Sequence, residues 1–219
     1  MDFQPSITEK HGLDLLGPKA KDILSIGIST GGSAELQMAK KCPLAKIIAT
    51  TIDVKGLELT KAIIAKSPNK NQIICKSENC GKVWEYGDNT FDFIYARLVF
   101  HYLTKDELKI ALNEIHRTLK DTGKAFIVVR SIDEPELKRP DIKYDDVTGF
   151  ITYADFLDKV QSRQFFSEKS LRDVLENAKL KPQYIKTTQE QLFQDYERKL
   201  KNPNMNTLIE TVVKKSVLL

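Results

Sequence analysis

The chain has few of the residues that cross-link or metallate a fold. Its 219 residues include three cysteines, Cys42, Cys75 and Cys80, odd in number and with no C-x-x-C pair. That argues against a disulfide scaffold and for a reducing compartment, the cytoplasm. The three histidines, His11, His101 and His116, lie too far apart for ligand-type spacing, so no metal site is expected. No apolar run reaches the roughly 18 residues of a membrane span. The opening MDFQPSITEKHG has no signal-peptide core, so the expectation is a soluble, unexported protein with no membrane partner. Charge of one sign is missing as well. Lys and Arg number 34 against 30 Asp and Glu, for a net +4 spread along the chain. A solvated surface is expected from that balance, and a nucleic-acid partner is disfavoured. There is no internal repeat and no low-complexity segment. At this length the chain supports one substantial core and is short for two, so residues 1–219 are expected to form a single domain.

The chain is organised around Lys21 to Lys40, KDILSIGISTGGSAELQMAK, a short apolar run, a glycine-rich turn and a helix-compatible segment. Strand, tight turn and helix in that order bring backbone amides and a helix N-terminus to any anionic group at the strand's end. The spacing Gly27-x-Ser29-x-Gly31-Gly32 is an incomplete version of the G-x-G-x-x-G fingerprint. Before it, Ile7 to Leu16 suits a short helix closed by Gly17-Pro18. Strand one is Asp22 to Ile26, and Ser29 or Thr30 is placed to cap the helix that follows. The β-branched run Ala45 to Ile52 reads as a strand buried on both faces and ends at Asp53. A helix with Leu59, Ala62 and Ile63 on its stripe, a strand at Gln72 to Cys75 and a loop holding Trp84 come next. Strand four is Phe91 to Ala96. Thr104 and Glu107 form a capping box for a helix with Leu108, Ala111, Leu112, Ile115 and Leu119 inward, and Gly123 is placed as its C-terminal cap. After strand five, Ala125 to Val129, the pattern predicts a charged connection, a helix over Tyr153 to Arg163 and a helix capped by Ser167. Late strands follow at Pro182 to Thr187 and Leu208 to Lys214. Strand and helix alternation of this kind implies an α/β fold of parallel βαβ units, a Rossmann-like three-layer α/β/α sandwich.

ILSIGISTGGSAELQMAK, TIDVKGLELTKA and NTFDFIYARLVFHYLTKDELKIALNEIHRTLKDTGKAFIVV, in this order and spacing, resemble the class I S-adenosylmethionine-dependent methyltransferases from roughly Lys21 to Leu180. The third block is the most specific, and the tail suits the antiparallel last strands of that fold. The resemblance implies S-adenosyl-L-methionine as cofactor and direct methyl transfer to a small molecule. Gly27, Ile28, Ser29 and Gly31 would form the cofactor loop, where a missing side chain lets the backbone come close. Asp53 would accept hydrogen bonds from both ribose hydroxyls. Val54 would pack on the adenine, and Ser77 or Glu78 would bond its amino group. Ala96 and Arg97 would face the methionine portion and the sulfonium.

Family members commonly carry an acidic residue where this chain has Ser25, and a glycine where it has Ser29. Ser29 would either hydrogen-bond the cofactor carboxylate or obstruct it. These departures motivate an alternative, a non-catalytic binding or regulatory protein. A nicotinamide dehydrogenase is also open, because Asp53 suits that ribose equally. No NPPY-type motif follows strand four, where base-amine methylases commonly have one; RLVFHYL stands there. His101 in that turn would border the acceptor pocket as a proton acceptor or serve as a packing residue. His116 suits the surface, and Cys75 and Cys80 suit buried, inert thiols. Phe150, Tyr153, Phe156, Phe165 and Phe166 form an aromatic cluster, either core or part of a substrate lid around residues 131–166.

Overall fold

The computed structural model describes residues 5–155, 158–193 and 199–216. Fifteen elements are named here in chain order: α1 (Ile7–Leu15), β1 (Asp22–Ile26), α2 (Ser33–Lys41), β2 (Lys46–Thr51), α3 (Val54–Ile64), β3 (Ile73–Ser77), β4 (Phe91–Arg97), α4 (Lys105–Thr118), β5 (Leu119–Arg130), β6 (Lys143–Tyr144), β7 (Ile151–Ala154), β8 (Val160–Arg163), α5 (Glu168–Asn177), β9 (Leu180–Glu190) and β10 (Asn206–Lys215). Seven strands make one sheet in the order β3-β2-β1-β4-β5-β10-β9, and β6-β7-β8 make a second, smaller sheet. In the large sheet β10 runs antiparallel to both of its neighbours, while the pairings among β1 to β5 are parallel.

Period-two alternation along the central strands splits the core between the two faces of the sheet. Ile94 and Ala96 of β4 and Ala125, Ile127 and Val129 of β5 pack with Leu108, Leu112 and Ile115 of α4 and Leu171 and Leu175 of α5. Phe93, Tyr95, Phe126 and Val128 face the other way, toward Leu13 of α1, Met38 of α2 and Ile64 of α3. The helices therefore cover both faces of a mostly parallel sheet, the expected three-layer sandwich. The Thr104 capping box forms as its residues predict, with Glu107 N donating to Thr104 Oγ1 at 3.3 Å and Thr104 N to Glu107 Oε2 at 2.9 Å.

α1 lies on the sheet through a glycine. Tyr95 and Phe126 stack with centroids 5.7 Å apart, and a Cβ on Gly12 would stand 2.6 Å from both rings. Gly12→Ala is therefore expected to destabilise the fold by about 1–3 kcal/mol through overpacking, despite alanine's higher helix propensity. At about 2–4 °C per kcal/mol for a chain of this size, a thermal melt reads the change directly. An unchanged melting temperature would mean that α1 shifts freely on the ring pair.

Four sequence expectations are corrected. Tyr153 to Arg163 is not a helix: β7 and β8 pair as an antiparallel hairpin, Tyr153 opposite Gln161. Asp155 accepts Lys159 N at 3.0 Å, and Asp158 takes a left-handed φ of +55°, a turn that no helix continues through. Gly123 is not a cap, because α4 ends at Thr118 and Gly123 lies within β5. There a Cβ would stand 2.9 Å from the Phe91 carbonyl oxygen, so the glycine permits a close crossing of β4. The buried stripe of α3 is Leu57, Thr60 and Ile64; Ala62 and Ile63 are exposed and Leu59 is half-buried, one register away from the expected stripe. Strand three begins at Ile73 and continues to Ser77. In the aromatic cluster Phe166 joins the core and Tyr153 meets Phe165 edge-on at 5.4 Å, while Phe156 lies outside the described residues.

Candidate functional site

The carboxyl ends of β1, β2 and β4 open on a cavity of 710 Å³. Ligands in open α/β sheets bind at such ends, where the strand order reverses. Here β1 lies between β2 and β4, so the chain leaves it in opposite directions on its two sides. Of the residues expected at a site, Gly27, Ile28, Ser29, Asp53, Glu78, Arg97 and His101 line this cavity. Gly31, Val54, Ser77 and Ala96 do not line it; Val54 is 66% exposed, Ser77 is exposed, and Ala96 is buried in the core.

β1 turns at Gly27, whose φ of +74° suits glycine and whose Cβ, if present, would stand 3.0 Å from Val99. The amides of this turn are consumed within the protein. Gly27 N and Ile28 N both donate to the Thr50 carbonyl, at 2.8 and 3.0 Å, and Ser29 N donates to Glu35 at 3.2 Å. The expected ring of amide donors is thus not what the turn presents at residues 27–29, because β2 and α2 take those donors first.

Ser25 and Ser29 are explained by Glu35, a residue that the sequence pattern did not single out. Its side chain enters from the first turn of α2 and is fully buried. Ser25 Oγ donates to Oε1 and Ser29 Oγ to Oε2, each at 2.6 Å. Ser29 Oγ also accepts Ala34 N at 2.9 Å, which ties the turn to the start of α2. The carboxylate missing at position 25 is therefore replaced by one from the helix. Ser29 caps from a distance, since the residue directly before α2 is Gly32, with φ +69°.

Asp53 stands at the tip of β2, half-buried, and caps α3 by accepting Gly56 N at 3.1 Å. Glu78, just beyond β3, receives the Tyr86 hydroxyl at 2.8 Å and pairs with Lys76 at 2.7 Å. Arg97 leaves β4 as a clamp. Its Nε donates to Thr8 Oγ1 at 2.8 Å, its Nη2 to Ser6 Oγ at 2.9 Å, and it pairs with Glu190, joining α1 and β9 to the cavity wall.

Another part of the cavity wall comes from the turn after β4 and from β8. His101 is 1% exposed and its Nδ1 has no hydrogen-bond partner among the described residues. Burial holds its pKa well below the usual histidine value, and Arg130 and Arg163 push the same way, so the ring is neutral. Burial raises the Cys80 thiol on the cavity wall to about 12 and that of Cys75, away from the wall, to about 11, so both are held in the protonated, weakly nucleophilic form. Among the described residues no group of three or more His, Cys, Asp or Glu is placed to hold a metal ion, and no helix is long and apolar enough to cross a membrane.

Residues 24–127 match a family model described as a methyltransferase domain. No curated protein sequence matches the chain. Solved structures do, at low identity. An S-adenosylmethionine-dependent methyltransferase from Methanosarcina mazei superposes with a TM-score of 0.72 at 16% identity, over 100% of both chains. A protein from Pyrococcus horikoshii OT3 gives 0.70 at 14% identity, covering 95% of this chain and 88% of its own. A geranyl diphosphate methyltransferase, solved with its diphosphate and sinefungin, gives 0.66 at 14% identity, covering 95% and 76%. At these identities the structures establish a shared fold.

Proposed function

Since residues 24–127 match a methyltransferase-domain model, we propose that the protein is a class I S-adenosylmethionine-dependent methyltransferase that methylates a small molecule by direct transfer. One observation carries the reading: the Gly27 turn and Asp53 bound the same cavity, from adjacent strands. Its 710 Å³ falls in the range of small-molecule sites, about 300–1,000 Å³. Gly27, with its left-handed φ of +74°, turns the chain at the cavity wall, where its backbone suits the cofactor's methionine end. Asp53 suits the ribose hydroxyls as an acceptor. Glu78 suits the adenine amino group, which favours it over Ser77 on this wall.

The cofactor supplies a methyl group on a sulfonium, electrophilic enough to need no metal. The protein's task is then to aim the acceptor and exclude water, and orientation of this kind can contribute about 7–11 kcal/mol in model systems. Neutral, buried His101 is suited to accept a proton from the acceptor as its lone pair is used. The insertion that forms β6, β7 and β8 lines the cavity with Asp155, Lys159, Gln161 and Arg163. In this reading the whole chain is one catalytic unit and that insertion is its cover. The non-catalytic alternative arose from Ser25 and Ser29; Glu35, holding both, supports an ordered cofactor loop instead.

Calorimetric titration with S-adenosylhomocysteine tests the reading, with binding expected in the range of ordinary enzyme ligands, about 1 µM–1 mM. Absence of heat at millimolar ligand, with the protein folded, would overturn it.

A further inference from the structure

The part of the cavity wall formed by the turn after β4, the end of β5 and β8 holds hydrogen-bonding capacity that the protein leaves unused. Arg163 comes from β8, and its guanidinium lies over the rings of Tyr102 and Tyr153, 5.2 and 5.9 Å from their centroids. Nη1 donates to the Tyr153 hydroxyl and Nη2 to Gln161 Oε1 at 3.1 Å, while the buried Nε has no partner. Among the described residues no carboxylate lies within ion-pair distance of Arg163. Arg130, 8% exposed, gives Nη1 to Glu134 and Glu136, and its buried Nε is likewise without a partner. His101 Nδ1 is the third such atom. Only four buried side-chain polar atoms among the described residues lack a partner, and all four belong to residues lining this one cavity, the fourth being the Tyr95 hydroxyl.

Buried N–H groups without acceptors are costly and rare in native proteins, so the two free arginine Nε–H groups call for an acceptor that arrives from outside, while Nδ1 of the neutral His101 ring donates or accepts according to its tautomer. The acidic groups on the same wall do not fill the role. Glu136 is held by Arg130, and Asp155 accepts the Lys159 amide at 3.0 Å and the Gln161 side chain at 3.0 Å. The tyrosine rings fix the plane of the Arg163 guanidinium, which orders its free edge ahead of binding.

We propose that this wall recognises an anionic group on the methyl acceptor, a carboxylate or a phosphate, held by Arg163 with Arg130 behind it and the His101 ring alongside. The inference rests on the methyltransferase reading and narrows its acceptor to a small acid. It also links recognition to proton acceptance. Arg130 and Arg163 disfavour a charged imidazole, and an anion lodged between them offsets that field. The acceptor's own charge thereby makes His101 a better base when the acceptor is present.

The test uses the full chain saturated with S-adenosylhomocysteine, titrated with benzoate, benzamide and inorganic phosphate at constant ionic strength. Benzoate or phosphate is expected to bind at least about tenfold more tightly than benzamide, as charge-assisted bonds to an arginine require. Which of the two anions binds better identifies the group. Arg163→Gln is expected to erase the preference and Arg163→Lys to restore part of it, with an S-adenosylhomocysteine titration of each variant reporting an intact fold. A measurement free of variants is the imidazole titration by NMR, which three histidines make simple to assign. The preferred anion should raise the His101 pKa and benzamide should not. Equal binding of benzoate, phosphate and benzamide, no binding by any of them, or an unmoved His101 would overturn the proposal. Failure of the unaltered protein to bind S-adenosylhomocysteine would instead remove the methyltransferase reading beneath it.

Discussion

Asp53→Asn is expected to weaken S-adenosylmethionine binding about 10- to 100-fold while leaving the fold as stable as before. The two halves of that result come from the two jobs a group at the tip of β2 can do. As the residue before α3, Asp53 accepts Gly56 N at 3.1 Å, and asparagine performs this as well as aspartate. As a ribose ligand it would offer two charged oxygens, and an amide replaces one of these with a donor and removes the charge. Hydrogen bonds to ionised groups contribute about 1.5–3 kcal/mol each, and one to two decades of affinity follow from losing one. Asp53→Ala removes the cap as well and is expected to lower stability by about 1 kcal/mol. Calorimetry with S-adenosylhomocysteine and a urea melt on each variant separate the two roles. If Asp53→Asn binds as tightly as the unaltered chain, position 53 is a helix cap only and the ribose assignment falls.

What the sequence conveyed well was the part governed by local rules. The β-branched run of β2, the apolar strand β4 and the Thr104 box each combine a short-range preference with a core-facing pattern and appear where expected, whereas β5 begins at Leu119, six residues before the expected start. The Gly27 turn was legible for the same reason, since a tight bend between an apolar strand and a helix needs a left-handed residue. The wall that carries Arg163 and Arg130 was not legible. Arg163 was hidden because Tyr153, Val160 and their neighbours recur at helical spacing, whereas a hairpin turn at Asp155 to Lys159 decides the structure and places alternate residues on the cavity. Arg130, at the end of β5 and beyond the expected strand, was not singled out: its Nη1 is held by Glu134 and Glu136, four and six residues on, and its Nε is left free by the way the connection after β5 folds. Glu35 could have been suspected. An acid in the first turn of α2, downstream of two serines that replace an acid and a glycine, is a displaced charge with somewhere to go.

That displacement makes a prediction about coupling. Glu35→Leu deletes the acceptor for two hydroxyls and one amide in a fully buried place, and is expected to cost about 2–4 kcal/mol after the carboxylate's own desolvation is relieved. Ser25→Asp alone would set a second carboxylate against Glu35, whose Oε1 lies 2.6 Å from the present Ser25 hydroxyl, and is expected to destabilise the fold through like-charge contact. In the Glu35→Leu background the same change should do the opposite. It would return an acid to the strand position and give the Ser29 hydroxyl and amide a charged partner again. A double-mutant cycle by urea melts should therefore show Ser25→Asp changing sign between the two backgrounds, with a coupling of about 1–3 kcal/mol, and S-adenosylhomocysteine affinity should follow stability. Additive effects would mean that Glu35 holds the start of α2 without serving the turn. Reversal would mean that one buried negative charge beneath the Gly27 bend is what the loop requires, and that either element can supply it.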